Sequence, residues 1–402
     1  MPGRGTPGFS GARLREARIA RGLSAASLAE IAGVTRQLIS QYEHGQTAPT
    51  PDTLYLLAAR LNLPPDFFVQ EARIPREQPI FFRALAAATK GERDKAESRL
   101  DWLDDLVTYL GRFVDFPVVE LPRVEDVGRP WSDAMIEDAA QAVRQAWNLG
   151  DGPIPSVVGL LERHGVVVTR GIVETEALDA FSVRLVRDER PAVFLGADKD
   201  SASRSRFDAA HELGHHILHR NVSPRRLANP VERKSIEREA HRFASALLLP
   251  AREFARDLRA PTLAGMQLVK GRWLVSIGAM IQRCSDLEIL RQDEAARLWM
   301  ARARRGWARH EPLDDEIPFE QPAMLRQAVE IVVGEDVRAP RQLLDELRLS
   351  AADVEALAGL PDGFLSDSEA PTRLVERRAA SSSPQPAQTA DVIEFRGDTR
   401  RR

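Results

Sequence analysis

The sequence predicts a mainly α-helical protein with one small β-sheet: an all-α domain at the N-terminus, an α+β domain in the middle and a helical region towards the C-terminus. Three observations carry that prediction. Residues 10–70 hold short apolar-periodic segments separated by Ser, Thr and Gly, the punctuation of capped helices. Residues 166–195 contain three short runs rich in Val, Phe and Leu, which read as strands. Beyond residue 200 the apolar residues recur at helical spacing to about residue 365, so the rest of the folded chain is helical.

Size and charge set the limits. At 402 residues the chain suggests two or three domains. Its 56 basic side chains against 59 acidic ones leave no global attraction to nucleic acid, so any such contact depends on a local surface. The single cysteine, Cys284, excludes an intramolecular disulfide and suits a reducing cytoplasm. It lies among Met280, Ile281 and Leu287 and is expected as a buried structural thiol. Residues 1–9 are polar and turn-rich, with no signal-like apolar run, and are read as disordered. No stretch is long and apolar enough to predict a membrane span.

Residues 10–70 form the first domain. Ser24 caps a helix ending near Ile31, Gly33 makes a tight turn, and Thr35 caps a helix ending near Glu43. Two short helices joined by a glycine-bearing turn make a helix-turn-helix, whose second helix enters the major groove of DNA. Leu28, Ala29, Val34, Ile39, Leu54 and Leu57 supply the interior. Arg36, Gln37, Ser40 and Gln41, with Thr35 at the helix start, remain on the outer face as candidate DNA contacts, Arg suiting guanine and Gln adenine. With Tyr42-Glu-His-Gly-Gln after the second helix and Pro49-Thr-Pro before the next, the segment resembles the Xre-type regulators, although Ala25 stands where that family often has a Gln. Six arginines against five carboxylates give the segment a net charge of only plus one. Nonspecific affinity is therefore modest, and a homodimer on a double-stranded operator is expected. A protein-docking use of the same fold is the alternative.

A connector, residues 71–130, carries Leu100, Leu103, Leu106, Val107, Leu110 and Phe113 at three-to-four spacing. That predicts one long amphipathic helix, expected to pack on the domain that follows, with a dimer seam as the alternative. Residues 80–83 and 89–90 resemble the linker of proteins that fuse the two domain types described here. The next domain, residues 131–255, opens with a helix over residues 131–149 and another over 156–164. Strands are expected at 166–169, 181–186 and 192–195, with a turn at 188–191. A sheet placed there offers an edge on which an extended peptide can pair.

The helix after these strands carries the chemistry. Residues 207–219 place His211 and His215 four apart, so both imidazoles project from one helical face and can share a metal ion. Glu212 beside them can move a proton from an attacking water to a leaving amine, the arrangement of H-E-x-x-H zinc peptidases. Gly214 is expected to leave space above the metal. Arg204 and Arg206 are expected in surface ion pairs, with contacts to substrate carbonyls as the alternative. A catalytic zinc site needs a third protein ligand. The helix over residues 236–249 offers Glu237, with His241 four residues on to orient a ligand histidine, and Glu239 as the rival ligand on another face. His219, four residues past His215, is a second candidate to orient a ligand or to stabilise the oxyanion, with a solvated histidine as the alternative. His216 points away from the chelating face.

Residues 206–215, 237–244 and 247–250 together resemble the ImmA/IrrE metallopeptidases. The resemblance implies a zincin-like α+β domain binding one zinc ion through His211, His215 and Glu237, with Glu212 as general base. It also implies cleavage of an Xre-type repressor as the partner substrate. His241 departs from the family's usual Asn or Asp, which leaves open a direct ligand role for it and hence a structural or sensory zinc site.

Residues 256–365 are read as a helical C-terminal region, and residues 268–273 and 306–312 resemble long fused proteins of this kind to about residue 320. Ile277, Met280, Ile281, Cys284 and Leu287 make a buried stripe. Lys270, Arg272 and Arg283 are expected on a solvated face, with a second nucleic-acid surface as the alternative. Residues 366–402 are rich in Ser, Pro, Gln and Ala and are read as a disordered tail.

Overall fold

In the computed structural model the described residues are 5–73, 81–82, 89–124, 130–171, 180–187, 189–196, 201–335, 337–366 and 394–395. The expected disorder at the extreme N-terminus and over most of the tail falls largely outside them. In chain order the elements begin with α1 (Gly11–Ala20), α2 (Ala25–Ile31), α3 (Arg36–Glu43), α4 (Pro51–Leu61), β1 (Phe81–Phe82), α5 (Lys90–Leu110) and β2 (Val114–Asp115). The middle holds α6 (Asp133–Ala146), α7 (Val157–Arg163), β3 (Val167–Arg170), β4 (Ala180–Arg184), β5 (Pro191–Leu195) and α8 (Ala202–Leu218). Then come α9 (Pro224–Ala228), α10 (Pro230–Leu248), α11 (Ala251–Asp257), α12 (Leu263–Trp273), α13 (Ile277–Asp286) and α14 (Gln292–Arg304). Helices α15 (Met324–Gly334), α16 (Pro340–Leu347) and α17 (Ala351–Ala358) precede β6 (Glu394–Phe395). The chain divides into two compact units: Met1–Pro75 with Thr89–Pro117 and Ala323–Arg402, and Arg76–Ala88 with Val118–Pro322.

In the first unit, Ser24 and Thr35 each accept a backbone N–H three residues on, starting α2 and α3 as expected, and Thr50 does the same for α4. Thr89 and Glu92 form a reciprocal capping box that starts α5. The apolar stripe of α5, including Leu100, Leu103 and Leu106, is fully buried, and the helix packs against α1, α15 and α16. This corrects the expected packing on the following domain: helical period shows which face is buried but not against what. Ion pairs reinforce the unit. Arg21 makes two 2.6 Å hydrogen bonds to Asp353, to which Arg99 donates at 2.7 Å. Trp102 Nε1 donates to Glu16 at 2.8 Å. Helices α15–α17 therefore belong with the helix-turn-helix rather than with α11–α14. Residues 394–395 of the tail pair antiparallel with β2.

The second unit is built on a sheet of order β1-β4-β5-β3, with β3 and β5 parallel and β4 antiparallel to β5. Helix α8 packs on β4 and β5 and, on its other side, on α10. Ala180, Val193 and Leu195 of the sheet share one core cluster with Phe207, Leu213 and Ile217 of α8. Asn229 caps α10, and Pro230 fits its first turn. The far end of α10 is held by buried cations: Arg144 donates to Leu247 O, and Arg283 donates to Leu249 O at 2.9 Å, satisfying carbonyls that a helix C-terminus leaves open.

Two expectations about charged residues are corrected here. Lys270 and Arg283 are fully buried rather than solvated. Lys270 Nζ lies 3.0 Å from Glu311 and 2.6 Å from Asp314, while Arg283 pairs with Glu137 at 2.5 Å. Arg272 does stay at the surface, beside Asp257. Arg206 is likewise buried, donating to Ile154 O, Pro155 O and Glu320. A buried cation is tolerated when carboxylates and carbonyls surround it, and those partners lie too far along the chain to be read locally. Cys284 is buried as expected, and burial pushes its thiol up to about 12.

Candidate metal centre

Helices α8 and α10 bring three candidate ligand groups to one point. His211 Nε2 lies 3.1 Å from His215 Nε2 and 3.2 Å from Glu237 Oε2, and His215 Nε2 lies 3.7 Å from Glu237 Oε1. Ligands about 2.0–2.2 Å from a tetrahedral zinc ion stand roughly 3.4 Å apart, so the spacing and the mixed nitrogen and oxygen donor set both fit zinc. His211 and His215 are buried, while the Glu237 side chain keeps 26% of its exposure, so the carboxylate marks the solvent side of the centre. Among the described residues this is the group of His, Cys, Asp and Glu whose ligand atoms all converge within 4.8 Å. Glu212 is fully buried beside it.

The neighbours of the trio are less regular than the sequence suggests. His241 lies against the Phe207 ring at 4.7 Å and edge-on to His211 at 6.5 Å between ring centroids, outside the convergent group. Glu239 also lies outside it. Its carboxylate is 3.0 Å from His219 Nε2 and accepts the Ser235 hydroxyl at 2.8 Å. His219 Nδ1 in turn is 3.0 Å from His215 Nδ1. With Glu239 ionised and His219 neutral, His219 donates from Nε2 and accepts at Nδ1, so that His215 donates from Nδ1 and keeps its Nε2 lone pair for a metal. The sequence offered Glu239 only as a rival ligand; its distance of two residues from Glu237 places it on another face, and its partner His219 emerges only from the fold.

Gly214 acts differently from its expected role. A Cβ there would stand 3.1 Å from the Phe243 ring and 3.2 Å from Ala240 O of α10. The glycine thus allows the two ligand-bearing helices to approach closely rather than clearing space over a metal. His216 points from the chelating face to the sheet, its Nε2 3.4 Å from Ala192 O, and burial, with Arg184 and Arg220 nearby, lowers its pKa to about 3.

In the first unit, Thr35, Arg36, Gln37 and Ser40 are exposed on α3 and Gln41 is half-buried, whereas Ile39 and Tyr42 face inward. Arg18 is tied to Glu43 at 2.5 Å and Arg13 to Glu16 at 2.9 Å. Much of the domain's positive charge is therefore internally neutralised, and Arg36 is the arginine of α3 left at its surface.

A helix-turn-helix family model matches residues 14–68, and the model of the IrrE N-terminal-like domain matches residues 161–285. The chain joins an Xre-type helix-turn-helix to an ImmA/IrrE-type domain. No curated protein matches the chain. The ImmA/IrrE-type region spans α8 and α10 and hence the whole convergent trio, and the Xre-type region spans α3 with its exposed polar face. The combination is that of a DNA-binding regulator carrying a protease-like domain. No helix among the described residues is long and apolar enough to cross a membrane.

Proposed function

We propose that the ImmA/IrrE-type domain is a zinc endopeptidase that cleaves an Xre-type repressor, or this chain's own connector between residues 70 and 90, and so controls genes at the operator bound by the helix-turn-helix. The observation that carries the reading is the convergence of His211, His215 and Glu237 beside Glu212. His211 and His215 would hold zinc through Nε2, and Glu237 through its carboxylate. Zinc, when bound, would supply Lewis acidity towards an attacking water and a peptide carbonyl. Glu212 takes the proton of the attacking water onto its carboxylate and returns it to the nitrogen that leaves as the peptide bond breaks. His219 and Glu239 hold His215 in the tautomer that presents Nε2.

On the DNA side, Arg36, Gln37, Ser40 and Gln41 read base edges, with Thr35 at the backbone, and two copies of the chain span two half-sites. The peptidase is tested by incubating the zinc-loaded chain and its Glu212→Gln variant with Xre-type repressors and with the chain itself. Cleavage by the wild type alone is expected. Equal inertness of both, with zinc bound by four protein ligands including His241, assigns the centre a structural or sensory role instead.

A further inference from the structure

Strand β4 has both of its edges occupied. One pairs antiparallel with β5, and the other pairs antiparallel with β1, Phe81 opposite Ser182 and Phe82 opposite Phe181. Strand β1 lies between the two family-matched regions, yet it belongs to the same compact unit as the sheet.

Its position along the sheet follows from α8. That helix follows β5 and returns antiparallel beneath it, because His216, near its C-terminal end, reaches Ala192 O near the start of β5. Glu212 lies one turn earlier, about 6 Å back along the helix, and two residues of strand cover about 6.6 Å. Glu212 is therefore level with Phe194 of β5, which is opposite Phe181 of β4, itself opposite Phe82 of β1. The added strand crosses the sheet edge at the height of the general base.

We infer that Phe81–Phe82 is a resident occupant of the outer edge of β4, the edge on which an extended peptide can pair, and that a substrate segment must displace it. The inference rests on the peptidase reading for the word substrate; the docking itself needs no cleavage. An open strand edge binds extended polypeptide through main-chain hydrogen bonds with little regard to sequence. A segment tethered on the same chain competes at an effective concentration on the order of millimolar, so a peptide supplied in trans is held off until the resident strand lets go.

The test uses the full zinc-loaded chain carrying Glu212→Gln, with and without Phe81→Pro and Phe82→Pro, which remove the strand's N–H donors. The probe is a labelled peptide of residues 76–88 of this chain, followed by fluorescence anisotropy. At least tenfold tighter binding to the proline variant is expected, and equal affinity overturns the inference. A second measurement needs no strand variant: in the Glu212→Gln chain alone, the β4 amides directed away from β5 should exchange slowly with deuterium, and exchange at the rate of an open edge overturns it. An inert wild-type enzyme with both expected binding results defeats the peptidase reading alone. An active one whose peptide affinity ignores the proline substitutions defeats the docking alone.

Discussion

Glu239 holds His219 at 3.0 Å deep between α8 and α10, both residues being 2% exposed. Through His219 this carboxylate sets the proton on His215 without itself joining the convergent trio. Partners of this kind that orient a metal-bound histidine commonly contribute 10- to 100-fold in metal affinity. Glu239→Gln is expected to weaken zinc binding by about that factor while leaving the far-ultraviolet circular dichroism unchanged, and Glu239→Asp to recover part of it. Competition titration with a zinc chelator measures both. Unchanged affinity in Glu239→Gln would remove the residue from the site.

The close approach of α8 and α10 at Gly214 predicts a packing cost. Gly214→Ala must move Phe243 and the α10 backbone by a few tenths of an ångström, and overpacking of this kind costs about 1–3 kcal/mol, against the roughly 1 kcal/mol that replacing a mid-helix glycine returns. Urea unfolding should show that loss, and zinc affinity should fall with it because the two ligand-bearing helices are pushed apart. A stability equal to wild type would contradict the packing account.

Asp353 predicts an acid sensitivity. Burial raises its carboxyl, but Arg21 and Arg99 outweigh burial and hold it below the usual carboxylate range. A group depressed on folding stabilises fully above its unfolded value of about 3.9 and loses that contribution as pH falls through the lower folded value. Asp353→Asn should cost about 3–5 kcal/mol near neutrality, because Arg21 and Arg99 lose their counter-charge. Its stability should then fall less steeply than wild type as the pH drops below about 4. Denaturant midpoints measured from pH 7 to pH 3 decide this, and parallel curves would refute it.

Arg36 is expected to matter more for DNA than the other arginines near it, since Arg13 and Arg18 are spent on Glu16 and Glu43. Arg36→Ala should weaken operator binding by about 1–3 kcal/mol and relax base preference at its position. Gel-shift titration at fixed salt checks it, and an unchanged operator affinity would favour protein docking on this fold.

The legible parts of this protein are the local ones. Caps at Ser24 and Thr35 announce their own helices, and the i, i+4 pair His211 and His215 needs only helical period to share a face. Sequence favours Glu237 over Glu239 because its partner four residues on, His241, is itself polar, although His241 lies outside the convergent group. What failed were the partners. The stripe of α5 gave its buried face but not α1 or α15 as its neighbours. Lys270 and Arg283 read as solvated because their carboxylates, Glu311 and Glu137, lie 41 and 146 residues away. Arg21 and Asp353 are 332 residues apart. Such pairs are set by tertiary packing, and no window of sequence contains both members.

The most direct test of the central claim is zinc stoichiometry by mass spectrometry under native conditions on the wild type, Glu237→Gln, Glu212→Gln and His241→Ala. A centre built on His211, His215 and Glu237 binds one zinc per chain in the wild type, in Glu212→Gln and in His241→Ala, and loses the metal in Glu237→Gln. Zinc retained by Glu237→Gln but lost from His241→Ala would rule that centre out and place His241, not Glu237, in the coordination sphere.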